Sequence, residues 1–197
     1  MRLSTFLLTL FFCSSSSAQI NNYQNLLDTA LGGHGCLFVH SKPLKLRQLD
    51  PMEMWYYAEN IKDYSNQKLD TIMFSQIIQN AKTADTILWM DKELSNYLLV
   101  NEREENVLKK YAMQKLRLTD KKQIRFYSKQ VDEFNSAKII DRNICYFSRP
   151  VFDNSRKFAI VQWDNGHGGL GGGGGIVLYQ LQDDTWKELG IIVNWKY

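Results

Sequence analysis

Three histidines and three cysteines hold most of this 197-residue chain's capacity for metal ligation or thiol chemistry. His34, Cys36 and His40 lie close together, within and just after Gly33-His34-Gly35-Cys36. With Cys145 or His167 brought in by folding, they could form a zinc site of mixed nitrogen and sulfur ligands. Their spacing matches no common zinc signature, however, and histidines set between glycines serve equally well as loop residues. A nucleophilic Cys36 or Cys145 would need a base and a third residue to orient that base, and the chain marks neither. No catalytic residue is assigned and no cofactor is expected. His34, Cys36, His40 and His167 remain metal candidates. Cys36 and Cys145 are open to a second use, as a disulfide in an oxidising compartment, or a third, as two buried thiols packed like small hydrophobes.

The run Gly166-His167-Gly168-Gly169-Leu170-Gly171 contains G-x-G-x-x-G, and four more glycines follow to Gly175. A dinucleotide site needs a helix next, so that its first amides can hold the pyrophosphate. Here Ile176-Val177-Leu178-Tyr179, a strand pattern, comes instead, and no Lys-Ser/Thr marks a phosphate loop. The glycine segment therefore reads as a mobile hairpin connection that tolerates Gly173→Ala with Gly174→Ala, or else as an anion-binding nest of backbone amides.

Cations gather between residues 109 and 129. Lys109, Lys110, Lys121, Lys122 and Arg125 are the candidate anion-binding set, with Lys115, Arg117 and Lys129 near them and Tyr111, Phe126 and Tyr127 interleaved. The alternative is a solvated helix face whose aliphatic stems cover apolar surface. The net charge is only +3, so nothing compels a nucleic-acid partner, and none is expected. Five tryptophans and ten tyrosines could stack on sugar rings, although core packing explains Trp163 and Trp195 first. No pair of carboxylates stands out as the acid and base of a glycosidase.

The amino terminus supplies an address. Met1-Arg2, a short apolar stretch from Leu3 to Phe12, and small residues at Ser16 and Ala18 form a secretory signal over residues 1–18, cut after Ala18. The apolar stretch falls well short of the roughly 20 residues that span a bilayer. Leu10-Phe11-Phe12-Cys13 also resembles a lipobox, departing from it at Phe12, so Cys13 is a candidate for lipidation. The expected location is periplasmic or secreted, with an envelope lipid anchor as the alternative and no membrane-spanning segment.

These residues need a scaffold, and 44% hydrophobic against 23% charged residues can build one domain, residues 19–197. Three-and-four spacing predicts a helix over Gln19 to Leu31 that ends at Gly32-Gly33. Asp50, Pro51 and Glu53 announce another helix, a third follows Asp70, and helical spacing runs from Leu94 to Leu116, with Asp91 as its cap and a break at Asn101–Asn106. Ile144–Phe147, Phe158–Trp163, Ile176–Leu181 and Trp186–Trp195 are β-branched and aromatic runs. Helices first and strands last give an α+β fold, a helical first half packed on an antiparallel meander of about four strands.

Phe147-Ser148-Arg149-Pro150-Val151-Phe152, then Ala159 and Val161, the glycine segment, Ile176 to Tyr179, Trp186-Lys187-Glu188 and Trp195 resemble the tail of a group of small exported bacterial proteins. In that group cysteines often flank the glycine loop; His167 and Gly171 stand there in this chain. The resemblance implies export and the β-meander, and no activity. The expected function is a non-catalytic binding or interaction role at the bacterial cell envelope, toward an envelope or extracellular ligand. The alternative is an envelope hydrolase, metal-assisted through the His and Cys candidates.

Overall fold

The computed structural model describes residues 23–65, 70–84, 86–165 and 171–197; the signal segment, Cys13, His167 and Gly166 to Leu170 lie outside them. In chain order the elements are α1 (residues 23–32), β1 (Phe38–His40), α2 (Met54–Ser65), α3 (Thr71–Ala81), β2 (Leu98–Val100), α4 (Lys109–Lys115) and α5 (Lys121–Ser136). Strands β3 (Tyr146–Phe147), β4 (Val151–Phe152), β5 (Phe158–Asp164), β6 (Gly173–Gln182) and β7 (Thr185–Lys196) complete it. The fold is α+β, with a five-stranded antiparallel sheet in meander order at the carboxy terminus.

Aspartates set the helix starts. Asp50 accepts from the Met52 amide ahead of the Pro51–Glu53 turn that leads into α2, Asp70 accepts from Ile72, and Asp120 accepts from Lys122 and Gln123. Each satisfies a donor that the first helical turn leaves unpaired. In the sheet, β5, β6 and β7 pair with their chain neighbours, and β6 turns into β7 through Asp183-Asp184, both at positive φ. That is the backbone of a two-residue turn whose twist matches the strands. The first edge is broken: β3 and β4 both pair with β5, and one extra residue between them makes a bulge at Ser148–Pro150.

Both faces of the sheet are covered. Leu26, Leu27 and Leu31 of α1 pack with Phe147, Val161, Val177 and Tyr179 on one face. Tyr57, Ile61, Phe74 and Ile77 of α2 and α3 pack with Ile160, Ile176, Leu178 and Ile192 on the other. This explains why the β5 and β6 runs are apolar at successive residues rather than alternating. A third core joins β1 and β2 to α4 and α5 through Phe38, Leu98, Val100, Ala112, Val131 and Phe134. The β1–β2 pair is parallel and meets the sheet edge where His40 N donates to Cys145 O (2.9 Å) and Cys145 N to Phe38 O (3.0 Å). The Cys36–Cys145 disulfide fastens the same junction, with a Cα separation of 6.2 Å across 109 residues of chain. Closing a loop of that length is worth roughly 4–5 kcal/mol in the chain-entropy model. No helix among the described residues is long and apolar enough to cross a membrane.

Two sequence expectations fail here. Residues 91–96 form turns and Leu98–Val100 a strand, so no helix runs on from Leu94 and Asp91 caps none. The parallel ladder to β1 and the burial of Leu98 and Val100 override the helical spacing. The glycine segment is also no plain connection, because Gly173, Gly174 and Gly175 belong to β6, opposite Lys196, Trp195 and Asn194. A Cβ on Gly173 would lie 2.8 Å from the Trp195 carbonyl oxygen. One on Gly174 would lie 2.6 Å from the Trp163 carbonyl oxygen and run into the Trp195 ring. Glycine here permits close approach, not mobility. Gly174→Ala should therefore cost about 1–3 kcal/mol by overpacking. Gly171→Ala, which meets nothing within 4 Å, should stay within about 0.5 kcal/mol of the parent. Urea unfolding of the two variants checks this, and a neutral Gly174→Ala would return the segment to a spacer.

Candidate functional site: a cleft braced by two arginines

The metal candidates do not converge. The His34 ring lies against Trp163 and Phe147, with centroids 4.5 and 5.6 Å away, and burial lowers its pKa. His40 stacks on Tyr146 at 4.8 Å, and its Nδ1 sits within hydrogen-bond reach of the Lys42 backbone. The Cys36 and Cys145 sulfurs are joined to each other, and His167 lies outside the described residues. Among the described residues, no three His, Cys, Asp or Glu side chains are grouped to hold a metal. Of the cation set, Lys109 pairs with Asp132 on α5 at 2.7 Å and Lys110 is exposed on α4, while Lys121, Lys122 and Arg125 gather around Phe126.

What the fold does bring together is a cleft between two loops, each tied down by one arginine. Arg149 sits in the sheet-edge bulge with only 12% of its side chain exposed. Its Nη1 and Nη2 donate to the two oxygens of Glu93 at 2.7 and 3.1 Å, a two-point fork. Its remaining donors reach the Ile87 and Leu88 carbonyls and the Tyr23 hydroxyl, and the guanidinium lies over the Trp89 ring at 4.5 Å. Residues 87–93 are thereby fixed to the sheet. Burial alone would push the Glu93 carboxyl up, but the Arg149 fork and the Met90 amide outweigh it and hold it below its ordinary value.

Arg142 ties the facing loop. It is 5% exposed, and its Nη1 donates to the Arg103 and Glu105 carbonyls at 2.9 and 2.8 Å. Its Nη2 donates to Asn106 Oδ1 and the Asn135 carbonyl, and Phe134 lies under the guanidinium at 4.9 Å. Asn135 adds a reciprocal pair of hydrogen bonds to the Val107 backbone.

The cleft between these loops has a volume of about 490 Å³. Ser41, Trp89, Leu99 and Val107 line it together with Asp91, Asn101, Glu105, Asn106 and Tyr111, and Leu88 and Leu108 border it. Ser41 links the walls: its carbonyl accepts from the Trp89 amide, and its hydroxyl donates to Asn101 Oδ1 at 2.8 Å. Lys115, nearly buried, donates to the Asp91 carboxylate, and the Tyr111 hydroxyl donates to the same oxygen at 3.2 Å. Burial first, then the Asp91 charge and hydrogen bond, push Tyr111 up to about 12, so it stays a protonated donor. Glu105 Oε2 accepts from the Asn101 amide.

Several polar atoms stay open to a guest. The Oδ1 atoms of Asn101 and Asn106 are engaged, which leaves both amide NH2 groups and one oxygen each of Asp91 and Glu105. The Trp89 indole nitrogen is buried without an acceptor. Donors and acceptors thus alternate over a partly aromatic surface. No protein-family model, no curated protein and no solved structure matches this chain. Sequence reasoning missed Asp91, Asn101, Glu105 and Asn106, because no short-range spacing links residues 87–93 to 101–108. The one available signal was Trp89, in an apolar run too short to form a helix.

The Glu93–Arg149 pair makes a signed prediction. A carboxyl held below its unfolded value of about 4.3 stabilises the fold above that pH, and the stabilisation is lost as pH falls through the lowered value. Glu93→Gln should lose about 2–3 kcal/mol at neutral pH. Its deficit against the parent should shrink from neutral to acid pH, as the pH falls through the lowered value and Glu93 of the parent takes up a proton. Urea midpoints at neutral and acid pH check both signs.

Proposed function

We propose that the protein is an exported, non-catalytic binding domain of the bacterial cell envelope, and that its cleft over Trp89 holds a polyhydroxylated, glycan-type ligand. The observation that carries the ligand class is the mixed set of unengaged groups: amide donors of Asn101 and Asn106 beside acceptor oxygens of Asp91 and Glu105. A hydroxyl both donates and accepts, so a polyol meets both kinds of group with one chemistry. A phosphate or other strong anion would face the two carboxylates. The partly exposed phenol of Tyr111, with Leu88 and Leu108 at the border, suits the apolar face of a sugar ring. Export rests on the leader-like residues 1–18 and on the resemblance of the tail to small exported proteins. The placement of His34, Cys36 and His40 lends no support to a metal-assisted hydrolase.

Titration of the purified protein with chito-oligosaccharides and neutral hexose oligomers, read by indole fluorescence and saturation-transfer NMR, tests the ligand class. Saturable binding is expected. Asn101→Ala and Glu105→Ala should each weaken it about tenfold, the worth of one hydrogen bond. The glycan reading fails if no oligomer binds, or if both variants bind as the parent does. Export has its own test. Mass spectrometry of the exported protein should find a chain beginning at Gln19, and an acylated chain beginning at Cys13 would replace the soluble form by the anchored one.

A further inference from the structure

A second surface lies apart from the cleft, on the outer side of α5. Lys121, Arg125 and Lys129 follow one another at four-residue spacing, and Lys122 and Phe126 do the same beside them, which puts all five on adjoining rows of one helix. They line a common open hollow of about 340 Å³. Phe126 is 57% exposed, and among the described residues its one aromatic partner is Tyr127, edge-on at 5.3 Å. Val131 and Phe134 of the same helix are buried in the core with β1 and β2, so the cationic side is held on a rigid element.

The cations of this patch are treated differently from their neighbours. Lys109 has Asp132 at 2.7 Å, and Lys115 has Asp91. Among the described residues, no ion pair or hydrogen bond engages the side chains of Lys121, Lys122 or Arg125, and Lys129 shares Glu133 only at 3.4 Å on the surface. Asp120, the carboxylate at the start of the row, makes no ion pair with them among the described residues; its Oδ1 accepts from the amides of Lys122 and Gln123. The same bonds occupy those amides, so any anion met here is met by side chains.

We infer that this face of α5 docks on an anionic phospholipid surface, with Lys121, Lys122, Arg125 and Lys129 at the headgroup phosphates and Phe126 entering the boundary between headgroups and acyl chains. Charge complementarity selects an anionic partner, and the exposed phenylalanine selects a membrane among anionic partners. A soluble polyanion would engage the cations and leave the ring in water. A bilayer interface instead receives an aromatic ring while long basic side chains stay at phosphate depth. The inference stands independently of the cleft and its ligand.

Co-sedimentation of the full protein with vesicles of phosphatidylcholine, with and without phosphatidylglycerol, tests it at low salt. Binding to the anionic vesicles and not to the zwitterionic ones is expected. Each cation near the surface contributes about fivefold to partitioning, so the triple variant K121Q/K122Q/R125Q should lose about a hundredfold. Phe126→Ala should also weaken vesicle binding, with an unchanged thermal midpoint, and should leave binding to soluble polyphosphate untouched. Equal sedimentation with both vesicle types, or anionic binding that survives the triple variant, overturns the inference. So does anionic binding indifferent to Phe126→Ala, which would make the patch a general polyanion surface.

Discussion

A guanidinium taken out of water must be surrounded by acceptors, and this chain removes two of them from water on either side of one short strand. Arg142 precedes β3 and Arg149 follows it, and neither position can be filled unless distant segments bring oxygens to it. Arg149 is answered by a carboxylate, two carbonyls and a phenol; Arg142 is answered only by neutral oxygens. Leaving either cation with half its partners would cost several kcal/mol, so the loops that supply the oxygens are held as firmly as the sheet. Residues 87–93 and 101–107 have almost no regular structure of their own. Their order is borrowed from the arginines.

The rest of the fold makes those two positions rigid. The bulge at Ser148–Pro150 turns the edge so that Arg149 leaves the ladder without breaking the pairing on either side. Ser148 closes the gap, its amide donating to the Gln162 carbonyl and its hydroxyl accepting from the Gln162 amide. Just before β3, the disulfide and the two backbone bonds to β1 hold Cys145. The edge is thus fixed at both ends, and β1 carries that fixity to β2 and to Ser41 beneath the cleft.

Much of the scaffold was legible because its signals are local. Asp50, Asp70 and the glycines after α1 act within one turn of the helices they bound. The meander reads from β-branched runs joined by a two-residue turn. What could not be read depends on pairing across the chain. Glu93 finds Arg149 across 56 residues, and no periodicity encodes that. The three-residue strand β2 matches helix spacing as well as strand spacing, so only its partner decides. The glycine run has one composition and two opposite uses, spacer and close contact. The Trp195 indole and the Trp163 carbonyl on flanking strands choose between them at Gly174, far from anything the run itself contains. The cleft residues were invisible for the same reason, since polar loop residues become a site only when another loop faces them.

Among the described residues, three buried side-chain nitrogens lack an acceptor, and they are not equivalent. Arg142 Nε belongs to a group with four other bonds, so its one idle donor is a minor cost. Trp163 stands beside the strand that leads to residues outside the described chain, so its surroundings are not all in view. Trp89 has neither excuse. Its ring lies under the Arg149 guanidinium, its backbone is bonded to Ser41, and its N–H is buried with no acceptor among the described residues. A buried idle donor costs about 1–3 kcal/mol, and the cost persists only where folding is not the sole demand on the residue. Leu88 and Leu108, 56% and 73% exposed at the border of the same cleft, are further apolar surface that the fold leaves in water. The cleft therefore joins two kinds of surface, open amides and carboxylate oxygens on one side and uncovered leucines on the other, and the proposed ligand would have to cover both while the Trp89 N–H stays shielded behind them.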